Sequence, residues 1–290
     1  MTFRSKTNGW LYLLPQMLII FIFFIWPSVS AVIQSFYFSD AFGLHHGFSG
    51  LQNYLDLFRD PGFFKSVWVT VCLALAINAL ALSLGILLAF LVDERSKSRR
   101  WYKSILLCPY AVAPAVAAIL WRFLWQPSLG WFSYAFHEIG IDVNYLTHPT
   151  QALWIIILAA SWQQLSYNFL FYFVAIQAIP SGIKEASLLD TPSFWHRFWR
   201  IIFPLVSPTT FFLLIMNIIY AFFDTFGIID VITAGGPSND TTSLIYKVYH
   251  DGFVNMDPGA SAAQSVMLMA MVIGLTLFQF RFLEKRVHYK

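Results

Sequence analysis

Hydrophobic residues along this 290-residue chain lie in six long blocks, which are separated by shorter polar stretches. A bilayer core about 30 Å thick requires roughly 20 apolar residues per helical span. Continuous blocks of this length are typical of transmembrane helices, whereas barrel strands show short alternating patterns. The sequence therefore predicts an all-α membrane protein. Its predicted spans are, to within several residues, Leu11–Ile33, Val67–Val92, Ile105–Trp125, Ala152–Ile179, Ile201–Phe226 and Ala262–Phe280.

Composition agrees with this prediction, because 58% of the residues are hydrophobic and only 11% are charged. Soluble domains contain about 25% charged residues. The first block follows Arg4 and Lys6, but it is too long for a signal peptide and no small-residue cleavage site follows it, so we expect a retained span. Cys72 and Cys108 both lie within predicted spans, which argues against a disulfide framework or a cysteine metal site.

Basic residues lie mainly at the two termini and in alternate loops, which predicts the orientation of the chain. Cytoplasmic loops carry an excess of Lys and Arg. We therefore expect cytoplasmic tails at 1–10 and 281–290 and a six-helix transmembrane domain at 11–280. The net charge of +3 is then a sign of topology and does not indicate nucleic-acid binding. The residues behind this prediction are Arg4, Lys6, Arg95, Lys97, Arg99, Arg100, Lys103, Lys184, Arg197, Arg200, Arg281, Lys285, Arg286 and Lys290.

Residues 183–208, which lead from the end of the fourth predicted span into the start of the fifth, are unusually charged, aromatic and rich in proline. Ile183–Asp190 can form a short helix, Pro192 disfavours helix at Thr191, and Ser193 is a good N-cap for a second helix. Two short helices with aromatic faces at a membrane surface suit the docking of a soluble partner. An interfacial helix with its Trp residues among lipid headgroups is an equally good interpretation.

This stretch resembles the EAA motif of the permease subunits of bacterial ABC importers. The matching residues are Glu185, Ala186, Asp190, Phe198, Ile201, Pro204 and Pro208. The departures are Ser187, Thr191, Pro192 and Phe203, and among them Thr191-Pro192 replaces the usual Gly-Ala of the turn. The sequences "TAGGP" at Thr233–Pro237 and "LLCPYAVAPAVAAILWRFLW" at Leu106–Trp125 resemble the carbohydrate-uptake branch of this family. The sequences "PYAVAPAVAA" at 109–118, "SYNFLF" at 166–171, "YAFFDTF" at 220–226 and "SAAQSV" at 261–266 together most resemble permease subunits of sn-glycerol-3-phosphate importers within that branch.

The resemblance implies the transmembrane domain of a type I ABC importer in the bacterial inner membrane. It implies half of a translocation pathway for sn-glycerol-3-phosphate, with glycerophosphodiesters as further possible cargo. The partners it implies are a second homologous permease, two copies of an ATPase, and a periplasmic solute-binding protein. The chain has no G-x-x-x-x-G-K-[ST] loop, so we expect no enzyme activity or cofactor in it, and ATP and Mg²⁺ bound by the ATPase subunits.

The resemblance also assigns contact with the ATPase to residues 183–208, called the coupling segment below. Glu185 and Asp190 would fix it through charge-assisted bonds, and Ala186 would allow close approach. Trp195 and Phe198 would fill apolar pockets of the ATPase. Pro204, followed by Pro208, would break the start of the fifth span.

Polar residues inside membrane spans are costly and often line a path. Asn217, Tyr220 and Asp224 recur at spacings of three and four, which places them on one helix face. The fourth span has a similar polar face, made of Gln163, Gln164, Tyr167 and Asn168. We interpret both sets as candidate substrate-path residues, with interhelical hydrogen bonding as the alternative.

Two further predictions carry alternatives. Arg122, inside the third span, could contact a substrate phosphate or extend to the membrane interface. Gly235, Gly236 and Pro237 could dock the binding protein or form a structural turn near the mouth of the path. The histidines at 45, 46, 137, 148 and 250 have no metal-ligand spacing, and no metal site is expected.

Other functions remain open at this point. A permease for another sugar or polyol would share the same scaffold. A secondary transporter driven by an ion gradient would need broken helices, internal repeats and a buried carboxylate near mid-membrane. Asp224 lies too near the end of its span to serve that role well. A membrane enzyme would need clustered catalytic residues within the spans, and the sequence shows none.

Overall fold

A computed structural model describes residues 6–39, 46–95, 99–191 and 193–282. Several residues used above lie outside these ranges, so the predictions that involve them are not addressed by the structure. The first half of the predicted tail at 1–10 and all but two residues of the tail at 281–290 are in this group. The individual residues are Arg4, His45, Lys97, Pro192, Lys285, Arg286 and Lys290.

The described residues are mostly helical. The α-helices are α1 Lys6–Ile20, α2 Trp26–Gln34, α3 Gln52–Arg59, α4 Pro61–Arg95, α5 Arg99–Leu107, α6 Pro114–Leu124, α7 Trp131–Glu138, α8 Pro149–Gln177, α9 Ser181–Asp190, α10 Phe194–Arg197, α11 Phe203–Leu205, α12 Ser207–Ile219, α13 Phe226–Ile232, α14 Leu244–Tyr249 and α15 Pro258–Phe282. The π-helical turns are Phe21–Ile25, Phe198–Ile202, Tyr220–Asp224 and His250–Val254, and Cys108–Ala111 forms a 3-10 turn. The strands are β1 Tyr37–Ser39 and β2 His46–Phe48, which pair antiparallel.

Within the described residues, four helices are long and apolar enough to cross a membrane. They are Tyr12–Gln34, Pro61–Glu94, Ser207–Asp224 and Pro258–Arg281. These helices correspond to the first, second, fifth and sixth predicted spans. The total of six spans and the positions of the termini stay predictions.

The third predicted span is not the continuous helix that we expected. It consists of two helices, Trp101–Ala111 and Pro114–Leu124, which meet at an angle of 99°. Proline explains the break, because it disfavours helical backbone in the preceding residue. Ala113, before Pro114, has extended backbone with φ −59° and ψ 139°.

The fourth predicted span is a continuous helix, α8, of 29 residues. At 1.5 Å per residue it is about 43 Å long, which exceeds the thickness of a bilayer core. Its centre is less apolar than that of the other long helices, because it carries Gln163, Gln164 and Asn168. All three of these side chains are buried. The helix therefore hides its polar centre inside the protein.

The chain divides into two compact units. The first comprises residues 1–63 and 247–270. It contains the short β1–β2 hairpin. Asn53 of α3 fixes the start of this hairpin, because its Nδ2 donates to the carbonyl oxygens of Ser35 at 2.9 Å and Tyr37 at 3.0 Å.

A charge cluster at Lys247 also belongs to the first unit. Lys247 Nζ lies 3.0 Å from carboxylate oxygens of both Asp60 and Asp251. Burial lowers the pKa of Lys247, but the hydrogen bonds to these two carboxylates outweigh it, and the net pKa is raised. For Asp60, burial raises the pKa, but the hydrogen bonds from Lys247 and from the Gly62 amide together lower it by more, so the net pKa falls. Both shifts stabilise the charged forms.

The second unit comprises residues 64–246 and 271–290. In its core, α4 and α8 pack together with the turn at Phe198 and with α12. The coupling segment is thus part of the folded core and not a loose connection. The buried residues of this cluster are Ile86, Ala89, Phe90, Val92, Phe169, Tyr172, Phe173, Ile176, Ile179, Phe198, Ile202, Val206 and Leu213.

Candidate functional site

The coupling segment forms two short helices, as predicted. Helix α9 ends at Asp190, and Thr191 then takes an extended backbone with φ −152° and ψ 128°. The Oγ of Ser193 accepts a hydrogen bond from the amide of His196 at 3.4 Å, which caps α10. This cap is the one expected from the sequence.

One face of the coupling segment is exposed and combines charge with apolar surface. Glu185, Ala186 and Asp190 are exposed on α9, and among the described residues neither carboxylate has a side-chain partner. The Leu189 side chain beside them is 89% exposed, and Trp195 on α10 is 56% exposed. Acids with free hydrogen-bonding capacity next to protruding apolar side chains form a surface suited to a protein partner. We call these five residues the coupling face.

Phe198 does not belong to this face, which corrects its predicted role in a pocket of the ATPase. Its side chain is only 3% exposed. Its ring centroid lies 5.3 Å from that of Phe90 on α4. Burial against the chain's own core makes Phe198 an anchor of the segment. Pro204 is half-buried within α11, where the chain turns into the fifth span.

Two ion pairs that the sequence reasoning missed bind the coupling segment to the end of α4. Lys184 Nζ lies 2.9 Å from Asp93 Oδ2. Arg197 Nη2 donates to both carboxylate oxygens of Glu94, at 2.8 and 2.6 Å. From the sequence alone, Lys184 and Arg197 indicate only the topology of the chain. The available signal was the pair of acids at the end of α4, within an otherwise basic loop.

A cavity of about 460 Å³ opens beside α8 and the end of α12. Five of the predicted substrate-path residues line it: Gln163, Gln164, Tyr167, Tyr220 and Asp224. The Tyr220 hydroxyl donates to Gln163 Oε1 at 3.3 Å, and Gln163 Nε2 donates to the Val112 carbonyl at 3.1 Å. The remaining lining residues are Tyr110, Val112, Pro114, Met216 and Ile219. Among the described residues, the lining thus has hydroxyl, amide and carboxylate groups but no Lys or Arg.

Asn168 and Asn217 do not line this cavity. They form a reciprocal pair between α8 and α12, with Asn168 Nδ2 donating to Asn217 Oδ1 at 3.0 Å and Asn217 Nδ2 donating to Asn168 Oδ1 at 3.1 Å. Both residues are fully buried. These two residues therefore make the interhelical hydrogen bonds that were the alternative to a place on the substrate path. Gly85 of α4 packs so closely here that an added Cβ would lie 2.8 Å from Asn168 Cβ.

Arg122 is also not among the residues that line the cavity. Its side chain is exposed on α6, and Nη1 donates to the Val231 carbonyl of α13 at 3.0 Å. This bond ties α6 to α13. A role of Arg122 in phosphate contact stays a prediction, and it would require a binding position outside the cavity described here.

The "TAGGP" loop is held together by its own hydrogen bonds. Thr241 Oγ1 donates to the Gly236 carbonyl at 2.7 Å, and Thr242 Oγ1 donates to the Gly235 carbonyl at 3.3 Å. Gly235 is buried with φ +78°, and a Cβ on it would lie 2.6 Å from Thr242 Oγ1. Gly235 therefore has a structural role. Gly236 and Pro237 are half-buried, and docking of the binding protein there stays a prediction.

Residues 81–289 match the family described as binding-protein-dependent transport system inner membrane component. The chain is 48% identical over 288 residues to the sn-glycerol-3-phosphate transport system permease protein UgpA of Brucella abortus, covering 99% of this chain and 98% of that one. It is 47% identical over 287 residues to the UgpA protein of Rhizobium meliloti, with the same coverage.

Solved structures show the same fold. A bacterial ABC transporter that imports the acidic polysaccharide alginate superposes with a TM-score of 0.80, covering 96% of this chain and 97% of that one at 22% identity. The same kind of transporter, in complex with its alginate pentasaccharide-bound periplasmic protein, gives a TM-score of 0.81 at 22% identity, covering 94% and 93%. At this identity the likeness bears on the fold alone.

Proposed function

Because the chain belongs to the family of binding-protein-dependent transport system inner membrane components, we propose that it forms half of an import pathway for sn-glycerol-3-phosphate. It is an ABC importer permease of the bacterial inner membrane, with the transmembrane fold of a type I importer. The observation that carries the choice of substrate is the near-full-length similarity to the two UgpA proteins. Glycerophosphodiesters share the glycerol phosphate group and are proposed as further cargo.

The proposed assembly has five subunits. A second, homologous permease completes the pathway, two copies of an ATPase bind on the cytoplasmic side, and a periplasmic protein delivers the substrate. ATP and Mg²⁺ are bound by the ATPase copies. Both termini of this chain, and the coupling segment between the fourth and fifth of six spans, face the cytoplasm. The excess of basic residues in the corresponding loops supports this orientation.

In this proposal the coupling face binds the ATPase. Leu189 and Trp195 supply apolar contact area, and Glu185 and Asp190 accept charge-assisted hydrogen bonds from the ATPase. Closure of the ATPase dimer on ATP would then move the coupling segment as a rigid body. Since the segment is packed into the core through Phe198, its movement would shift the membrane helices between inward-open and outward-open states.

The cavity beside α8 is the proposed substrate path within this subunit. Its hydroxyl and amide groups suit the hydroxyls of a glycerol moiety. A phosphate, in contrast, would meet the Asp224 carboxylate and, among the described lining residues, no cationic side chain. We therefore propose that the partner permease supplies the phosphate contacts. The same lining favours a second candidate function, import of an uncharged sugar or polyol.

The reconstituted complex with its binding protein distinguishes these substrates. ATPase activity is measured with sn-glycerol-3-phosphate, glycerophosphocholine, maltose or glycerol. We expect stimulation by the two glycerol phosphates and none by maltose or glycerol. Stimulation by an uncharged compound alone would retain the importer but refute the proposed substrate.

A further inference from the structure

The positive-inside rule accounts for the positions of Lys184 and Arg197, but it does not account for their pairing with Asp93 and Glu94. The α9 helix follows α8 in the chain, and α10 leads into α12, so the coupling segment is covalently joined to the fourth and fifth spans. It has no covalent connection to α4. Noncovalent contacts join it to α4 instead. They are the two ion pairs, across sequence separations of 91 and 103 residues, and the ring contact between Phe198 and Phe90.

We propose that Arg197 and Lys184 are positioning residues that lock the coupling segment to α4, so that α4 moves together with α8 and α12. This inference rests on the proposed function, because it presumes that the ATPase drives the coupling segment. The Arg197 side chain is 8% exposed and the Glu94 side chain 26% exposed. Shielding from water strengthens a charge pair whose hydrogen bonds are both made.

The packing of α4 extends this connection into the membrane. Gly85 lies nine residues before Glu94, about 14 Å along the helix at 1.5 Å per residue. At Gly85, α4 contacts the backbone and Cβ of Asn168 on α8. Asn168 in turn is paired with Asn217 on α12. Three helices are thus joined at two levels, by ion pairs at the end of α4 and by close packing at Gly85.

The two ion pairs are not equivalent in this arrangement. Lys184 binds through a single contact and its side chain is 29% exposed. Arg197 is more deeply buried and satisfies both carboxylate oxygens. Loss of one partner from either pair leaves a charge without its partner, but only Arg197–Glu94 makes two hydrogen bonds, which also fix the orientation of its two side chains. The larger effect on coupling is therefore expected from Arg197–Glu94.

The test compares Glu94→Gln, Arg197→Gln and the exchange Glu94→Arg with Arg197→Glu in the reconstituted complex. The matched control is Arg281→Gln, an exposed arginine at the end of α15 and outside the coupling segment. Complex recovery, ATPase activity stimulated by the binding protein, and uptake are measured on each. We expect the single variants to assemble and hydrolyse ATP, with uptake per ATP reduced by about fivefold or more. The exchange should recover part of this loss, and the control should match wild type.

An unchanged ratio of uptake to ATP in both single variants would overturn the inference, and so would an exchange variant no better than the singles. The proposed function would remain in either case, because wild-type complex would still couple ATP to uptake. If wild-type complex fails to couple, it is the proposed function that fails.

A second measurement covers variants that do not assemble. Glu94→Cys with Arg197→Cys is made in a background with Cys72→Ser and Cys108→Ser, and a bifunctional thiol reagent joins the two sites. If α4 and the segment move as one body, the unlinked double-cysteine complex, which lacks the ion pair, has reduced uptake per ATP, and cross-linking restores part of it. Cross-linking that abolishes the remaining uptake would show that the two sites must separate and would overturn the inference.

Discussion

Truncation of Asn217 tests the packing of the membrane helices around the candidate site. Asn217→Ala removes both hydrogen bonds of the reciprocal pair with Asn168, at 3.0 and 3.1 Å. Each interhelical hydrogen bond in a membrane protein contributes about 0.6 kcal/mol on average and at most about 1.7 kcal/mol. Two bonds therefore contribute about 1–3 kcal/mol.

Burial moves the expected cost toward the upper part of this range. Asn168 Nδ2 keeps its bond to the Gln164 carbonyl at 2.7 Å, but Asn168 Oδ1 loses its donor in a fully buried position. A buried acceptor left without a donor costs about 1–3 kcal/mol. We therefore expect Asn217→Ala to lower the free energy of unfolding by about 2–3 kcal/mol.

The assay is unfolding of the purified chain in mixed SDS micelles, followed by tryptophan fluorescence. The control is Asn168→Leu with Asn217→Leu, which removes both polar partners at nearly constant volume and should cost less than Asn217→Ala alone. A loss below about 0.5 kcal/mol for Asn217→Ala, or additive effects of Asn168→Ala and Asn217→Ala, would refute the reasoning.

Further predictions concern the coupling face, the "TAGGP" loop and the Lys247 cluster. Glu185→Ala and Asp190→Ala should weaken ATPase association or uncouple hydrolysis from uptake while the chain stays inserted, as measured by co-purification and uptake; normal values for both would exclude the coupling role. Gly235→Ala should destabilise the loop, because Gly235 has φ +78° and an added Cβ would lie 2.6 Å from Thr242 Oγ1. Limited proteolysis should therefore cleave this variant faster than Gly227→Ala, where an added Cβ meets no atom within 4 Å. The Lys247–Asp60 pair should stabilise the first unit between about pH 4 and pH 10. The lowered pKa of Asp60 makes its contribution fade as pH falls through that pKa, and the raised pKa of Lys247 makes its contribution fade as pH rises through that value. Lys247→Met should therefore flatten the pH dependence of thermal stability, and an unchanged profile would contradict the assignment.

The features of the fold that could be predicted from the sequence are those determined by residues close together in the chain. The apolar blocks gave four membrane-length helices, and Ser193 gave the cap of α10. The bend of the third span had its signal in Pro114, but a hydropathy window averages over a break of a few residues. Local periodicity and proline therefore predict elements better than they predict the path of a broken helix.

The candidate site was predictable only in part, because residue type does not determine which way a side chain faces. Tyr220 and Asn217 share a helix face in sequence, yet Tyr220 lines the cavity and Asn217 pairs with Asn168. Phe198 matches the motif but is buried against Phe90. The partners of Arg197 and Lys184 lie about a hundred residues earlier in the chain, and only tertiary structure brings them together.

Uptake into proteoliposomes tests whether the complex is an ATP-driven importer of sn-glycerol-3-phosphate. The complex is reconstituted with its binding protein outside, ATP is enclosed or omitted, and labelled sn-glycerol-3-phosphate is added. We predict accumulation that requires both enclosed ATP and the binding protein. Accumulation driven by an ion gradient without ATP, or none with ATP enclosed in an assembled complex, would contradict the account.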